Sequence, residues 1–297
     1  MTSMLKFIFF LFFFGIFIGS AQEKQNDHLM ITESKYGFES TVLRLESVVK
    51  QNEALSLFAK IDHSANAENA NLELNKASVL IFGNPKQGSL LIQKDQLAGL
   101  DLPLKMLVYN NADITEVTYC SINYLKSRFE FKGVRNLSKV KKGLKDMASK
   151  ASGGKVKKSG KFKVDTHEGI VSEISEFDFK TTYDRLITAI EENPNLKIFS
   201  EIDHFKNAEQ VGVGLRSTRL IIFGNPKVGT PIMQENFRIA LEFPVKFLVW
   251  RDEAGIVKIS YNDPAFLAKR FKLTQNISQL ETMKNALENL SKNAAKY

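Results

Sequence analysis

The chain has 297 residues, of which 43% are hydrophobic and 25% are charged. This is the composition of a folded globular protein, and it excludes an intrinsically disordered chain. A single cysteine, Cys120, excludes an intramolecular disulfide. The net charge of +8 is concentrated in one segment, since residues 132–163 contain twelve Lys and Arg against one acid, Asp146. The positive charge therefore belongs to this segment and not to the chain as a whole.

Residues 1–21 predict a secretory signal peptide. Lys6 precedes an apolar run over residues 7–18, and residues 19–21 are small, as a cleavage site requires. An uncleaved membrane anchor is the alternative, but the run is shorter than the ~20 residues that cross a bilayer. No later segment is apolar enough to span one. We therefore expect an exported protein, periplasmic or secreted, with no membrane span in the mature chain.

The chain contains two copies of one sequence pattern. Three motifs recur: Ile-Asp-His, Ile-Phe-Gly-Asn-Pro-Lys, and a hydrophobic residue followed by Pro, an aliphatic residue and Lys. The spacing is 141 residues in every pair, and the motifs end at His63 and His204, at Lys86 and Lys227, and at Lys105 and Lys246. A constant spacing over three motifs indicates a tandem duplication.

The duplication predicts the domain organisation. We expect a first repeat domain with a C-terminal helix over residues 30–150 and a Gly/Ser/Lys linker over residues 151–167. A second repeat domain with a C-terminal helix then covers residues 168–297.

Both copies predict the same order of elements. A short strand opens each copy, at residues 36–40 and 170–175, and a helix with apolar residues at helical spacing follows. A buried strand then leads into the Gly-Asn-Pro turn, two further strands form a hairpin, and a helix closes the copy. This order predicts an α+β fold of two tandem two-layer α/β sandwich domains with mainly antiparallel sheets.

The three motifs together resemble the signature of the bacterial and archaeal family known as domain of unknown function 302. In that signature an alanine follows the Ile-Asp-His motif closely, as Ala65 does in the first copy and Ala208 in the second. The resemblance covers almost all of both domains. It implies a compact α/β domain that can pair with itself, and it implies no established activity. We therefore expect the two repeats to pair within the chain.

His63 and His204 are the strongest polar candidates, because equivalent positions hold two of the four histidines. Histidine titrates near neutral pH and binds transition metals, and the aspartate that precedes each one could orient it. The alternative is that the aspartate caps the following helix or turn. Successive residues on a strand point to opposite faces, so Asp62 need not contact His63.

The Gly-Asn-Pro-Lys turns supply further candidates, namely Lys86, Asn225 and Lys227. Backbone N–H groups at the start of the next helix could meet an anion, and the lysines would add charge. The alternative is turn chemistry alone, because Gly tolerates positive φ and Pro fixes its own φ. The residue spacing of a phosphate-binding loop is missing.

Lys105 and Lys246 stand inside apolar runs. Each lies either at a strand end facing water or in a pocket, and a buried lysine must be paired or have a lowered pKa. If the three strands adjoin, His204, Lys227 and Lys246 converge in the second copy, which matches the family pattern more fully.

These candidates leave three kinds of function open. The first is a binding or interaction module in which the repeats form a pseudo-dimer and hold a small ligand or anion. The second is an enzyme or metal-binding protein that uses the Asp-His and Lys pairs, although one His per domain does not complete a protein-only zinc site. The third is a structural envelope protein whose basic segment, residues 139–163, contacts an anionic surface.

The sequence indicates neither a cofactor nor a particular ligand. Nucleic acid is not an expected partner, because the chain is predicted to be exported and its basic segment has no matching aromatic patch.

Overall fold

The structure of the protein, a computed structural model, describes residues 28–296. The predicted signal peptide of residues 1–21 lies outside them. Two antiparallel sheets packed against helices follow one another along the chain, and this confirms the predicted α+β class. Within residues 28–296, no helix combines the length and the apolar character needed to cross a membrane.

The first domain contains, in chain order, β1 (Leu29–Glu33), α1 (Phe38–Lys50), β2 (Ser56–Asp62), α2 (His63–Glu68), β3 (Ala77–Gly83), α3 (Pro85–Lys94), a 3-10 segment (Gln96–Leu100), β4 (Leu104–Asn111), β5 (Ile114–Cys120), α4 (Ile122–Arg128) and α5 (Leu137–Ser152). A two-residue strand, β6 (Lys157–Lys158), follows. The strands are ordered β2-β3-β4-β5-β1-β6, and neighbouring strands are antiparallel.

The second domain repeats this order with β7 (Ile170–Ile174), α6 (Phe179–Glu191), β8 (Lys197–Asp203), α7 (His204–Gln210), β9 (Thr218–Gly224), α8 (Pro226–Glu235), a 3-10 segment (Phe237–Leu241), β10 (Val245–Arg251), β11 (Val257–Asn262), α9 (Pro264–Phe271) and α10 (Ile277–Ala295). Its strands are ordered β7-β11-β10-β9-β8, again antiparallel.

The start of the first domain differs from the predicted one. Residues 36–40, predicted as a strand, contain the start of α1, and the opening strand is β1. Phe38, Val42, Leu45 and Val49 are buried at helical spacing, so α1 begins at the first of these residues. In the second domain the predicted opening strand agrees with β7.

Residues 151–167 lie against the domains. The short strand β6 pairs with β1, and Val156, Phe162 and Val164 are buried. The ring of Phe162 meets Phe266 of α9 edge-on, with 5.9 Å between the ring centroids. The segment therefore contacts both repeats.

The two domains pack against each other through their 3-10 segments. The segment Gln96–Leu100 lies on β9, β10 and β11, and Phe237–Leu241 lies on β3, β4 and β5 in the same way. The approach is close: a Cβ added at Gly99 would stand 2.8 Å from Leu248 Cδ1. Beside these contacts, α2 packs on α8 and α3 on α7. These contacts are reciprocal: the contact that an element of the first repeat makes with the second is also made by the equivalent element of the second repeat with the first.

Candidate functional site

The two motif histidines reach across to the opposite domain. His63, the first residue of α2, is 3% exposed, and its Nε2–H donates to the carbonyl oxygen of Ala240 at 3.0 Å. His204, the first residue of α7, is 4% exposed, and its Nε2–H donates to the carbonyl oxygen of Gly99 at 3.3 Å. A carbonyl only accepts, so Nε2 carries the proton in both rings. Ala240 and Gly99 hold equivalent positions in the two 3-10 segments.

Both histidines are neutral at physiological pH. Burial lowers the pKa of each ring to about 4, and it outweighs the carbonyl hydrogen bond and the neighbouring aspartate, which raise the pKa. The side chain of Asp62 accepts from the backbone N–H of Ala65, and Asp203 accepts from that of Lys206. The aspartates therefore cap α2 and α7, as the simpler interpretation of the motif predicts.

Each histidine also lines a pocket in the opposite domain. In the second domain the pocket has a volume of about 250 Å³ and lies between the start of α8, the loop before β8 and α10, with His63 on its wall. The equivalent pocket of the first domain has a volume of about 1030 Å³, and His204 lines it. The walls of the smaller pocket are mainly apolar and include Phe199, Phe223, Met233, Phe243 and Leu287.

Asn225 and Thr230 are two of the polar side chains of the second domain that line the smaller pocket. Asn225 Oδ1 accepts from the backbone N–H of Lys227 at 2.9 Å and so caps α8. Thr230 is 1% exposed, and its Oγ1 has no hydrogen-bond partner among residues 28–296. A buried hydroxyl without a partner is costly, and a ligand with a polar group would satisfy it.

The turn lysines Lys86 and Lys227 are exposed. In the part of the chain that is described, neither lines the two pockets. Asn84 caps α3 by accepting from the backbone N–H of Gln87, which matches the role of Asn225 in α8. The Gly-Asn-Pro-Lys motif therefore acts first as a helix cap.

Lys105 and Lys246 are buried between the domains. Their Nζ atoms donate to the same carboxylate oxygen, Oε2 of Glu242, at 3.1 and 3.2 Å. Arg270 Nη1 donates to the other oxygen, Oε1, at 2.8 Å. Burial would raise the pKa of Glu242, but the three cations outweigh it and hold that pKa well below the usual range. Burial and the neighbouring Lys105 lower the pKa of Lys246 to about 8.

A second ion pair stands at the equivalent place in the first domain. Arg128 Nη1 donates to Asp101 Oδ2 at 3.0 Å, and its Nη2 donates to Asn262 of the second domain at 2.8 Å. Arg270 Nη2 correspondingly donates to Cys120 Sγ of the first domain at 3.1 Å. The three sequence motifs include neither the two arginines nor the two acids. Arg128-Phe129 and Arg270-Phe271 nevertheless repeat at a spacing of 142 residues, a signal that could have marked the arginines.

The predicted convergence of His204, Lys227 and Lys246 does not describe the fold. His204 lines the pocket of the first domain, Lys246 binds Glu242, and Lys227 faces solvent. The reason is that His204 reaches across to the first repeat and lies away from the lysines of its own repeat. Among residues 28–296, no group of three His, Cys, Asp or Glu side chains is placed to hold a metal ion.

The fold defines a class of protein, a tandem α+β duplication in which one histidine of each repeat lines a pocket of the other. The model of the family described as "Domain of unknown function DUF302" matches residues 30–151 and 171–291. The chain belongs to this family, which confirms the resemblance of its motifs.

Relatives and a solved structure are similar to parts of the chain. Fluoride-specific ion channel FluC 1 of Brucella suis is 39% identical over 105 residues, which are 35% of this chain and 41% of that protein. FluC 1 of Brucella abortus has the same identity over 38% of its length. The chain thus spans about two fifths of these relatives. The crystal structure of a DUF302 protein from Bacillus stearothermophilus matches with a TM-score of 0.40 and 13% identity, over 43% of this chain and 98% of that one.

Proposed function

We propose that this protein is an exported small-molecule binding protein whose two repeats form a pseudo-dimer with one pocket per repeat. The observation that carries the proposal is the exchange of histidines. His63 lines the pocket of the second repeat and His204 that of the first. Each pocket is complete only when the repeats are paired.

The contacts between the repeats support this pairing because they occur as pairs of equivalent contacts, one in each direction. Gln93 Nε2 donates to the carbonyl oxygen of Gly214 at 2.6 Å, and Gln234 Nε2 donates to that of Glu73 at the same distance. Such reciprocal contacts are those of a two-fold symmetric interface, in which one surface patch meets its own copy.

The smaller pocket favours a small and largely apolar ligand. Its walls are aromatic and aliphatic, and binding sites of this kind fix their ligand by a few polar groups. Thr230 Oγ1 is such a group, since it is buried and has no partner among residues 28–296. The ligand would carry one polar group toward Thr230 and bury its apolar part against the rings.

Export is supported by the sequence alone. A basic residue, an apolar run and small residues succeed one another over residues 1–21. The intact mass of the protein recovered from expressing cells will show whether these residues are removed.

Pocket-filling variants test the proposal with the apolar dye anilinonaphthalene sulfonate as the probe. Ala286 is half-buried on the wall of the smaller pocket, and Gly143 lines the larger one with no atom within 4 Å of an added Cβ. We expect Ala286→Phe and Gly143→Phe each to remove the dye site of one domain. Fluorescence titration of the full chain measures the number of sites.

Ala254→Phe is the matched control, because Ala254 is exposed in the turn between β10 and β11. It should leave both dye sites intact. Dye binding that is unchanged in both pocket variants would show that the pockets are not the binding sites.

A further inference from the structure

A separate pocket of about 220 Å³ lies on the outer side of the first domain, where α5, β1 and β6 meet. Four lysines line it: Lys141, Lys142 and Lys145 from α5, and Lys158 from β6. Lys158 is held there by the pairing of β6 with β1, in which it stands opposite Met30.

The charge of this pocket is strongly positive. Lys142 is paired with Asp146 at 2.8 Å. In the part of the chain that the structure describes, Lys141, Lys145 and Lys158 form no ion pair, and all three are exposed. Lys141 and Lys145 are one helical turn apart, where like charges destabilise a helix. The remaining walls include the hydroxyl and amide side chains of Ser121, Asn123 and Ser138.

The second domain shows that the fold does not require these lysines. The helices α5 and α10 both follow an Asn with a left-handed backbone, Asn136 and Asn276. Counted from these asparagines, Glu281 stands where the first domain has Lys141, and Asn285 stands where it has Lys145. The same helix packs on the same sheet without the positive cluster, so folding does not account for the lysines.

We propose that this pocket, named here the lysine pocket, binds a phosphate group. A phosphate monoester carries nearly two negative charges at neutral pH and three acceptor oxygens, which suit ammonium and hydroxyl donors around a cavity of this size. The group can belong to a small phosphate monoester or to the headgroup of an anionic lipid, whose phosphodiester carries one negative charge and two acceptor oxygens. This site is independent of the two apolar pockets.

The test compares the full chain with the variant Lys141→Glu/Lys145→Asn, which places the residues of the second domain into the first. The control is Lys206→Glu/Lys284→Asn, which changes the charge equally at exposed positions of the second domain. Glycerol phosphate is titrated by calorimetry. Binding to vesicles of phosphatidylcholine with and without phosphatidylglycerol is measured by co-sedimentation, with residues 1–21 identical in every variant.

We expect the lysine-pocket variant to lose affinity for glycerol phosphate, for phosphatidylglycerol vesicles or for both, by roughly tenfold or more, and the control to keep it. Loss with glycerol phosphate identifies a soluble ester, and loss with vesicles alone identifies a lipid headgroup. Equal loss in the two variants, or no binding of either probe by the unaltered chain, would overturn the proposal. Because the exchanged lysines are exposed, circular dichroism should show unchanged folding.

Discussion

The two domains share their strand order and their motifs, yet residues at equivalent positions make different contacts. Glu242 of the second domain binds three cations, whereas Asp101 at the matching position binds Arg128. The pocket of the second domain is small and apolar, and that of the first has about four times its volume. The two domains therefore share the strand order and the exchanged histidines, whereas their buried ion pairs and their pockets differ.

Substitution of the two buried acids, Glu242 and Asp101, should have the largest effect on the free energy of unfolding, and the two losses should differ. Glu242→Gln takes from Lys105, Lys246 and Arg270 the buried carboxylate that they share, and we expect it to lower the free energy of unfolding by about 3–5 kcal/mol. Asp101→Asn should cost less, because Arg128 keeps its hydrogen bonds to Asn262 and to the carbonyl oxygen of Glu168. Urea unfolding at neutral pH measures both. Equal losses would contradict the central role of Glu242.

Because His63 and His204 are buried in their neutral form, we expect the protein to lose stability in acid. The unfolded chain protonates its histidines below about pH 6.5, whereas folded His63 and His204 do so only near pH 4. The free energy of unfolding should therefore fall as the pH is lowered from about 6.5 to about 4, by up to about 3 kcal/mol for each histidine.

The variants His63→Gln and His204→Gln test this assignment. Each should remove its own share of the pH dependence, seen in urea unfolding at several pH values, and the two shares should be alike. A variant that keeps the full dependence would show that its histidine is not the group that titrates.

The smallest predicted effect concerns the caps of α1 and α6. Asp178 caps α6 by accepting from the backbone N–H of Thr181 at 2.9 Å, whereas Gly37 precedes α1 with the same backbone angles and no side-chain cap. No atom lies within 4 Å of a Cβ added at Gly37. We expect Gly37→Asp to raise the free energy of unfolding slightly, by a few tenths of a kcal/mol.

Asp178→Gly should lower the stability by a similar amount, which makes the two substitutions a matched pair. Thermal unfolding measures both. A stability gain from Asp178→Gly would contradict the capping role.

Much of the local structure could be predicted from the sequence. The Asp residues before His63 and His204 cap helices, which was one of the two interpretations of that motif. Asn84 and Asn225 cap helices as well, although the sequence indicated only a turn at these residues. Burial of Lys105 and Lys246 was one of the two outcomes expected for a lysine in an apolar run. The strand predicted at residues 36–40 was wrong, since the apolar residues there begin the helical spacing of α1.

The site itself could not be predicted. His63 and His204 bond to backbone carbonyls, which every residue carries, so no sequence signal marks Ala240 or Gly99 as partners. A constant spacing between repeats shows which residues are equivalent. It does not show whether a residue meets its own repeat or the other.

By itself, the sequence determined the duplication, the α+β class and the concentration of positive charge, because each of these depends on residues that are near in the chain or on a regular spacing. Only the tertiary structure decided that each histidine lines a pocket of the other repeat, and that cations from β4, β10 and α9 meet on Glu242. The contacts of the two histidines and of Lys105 join residues more than a hundred positions apart, as from His63 to Ala240, and the packing of the two domains brings them together.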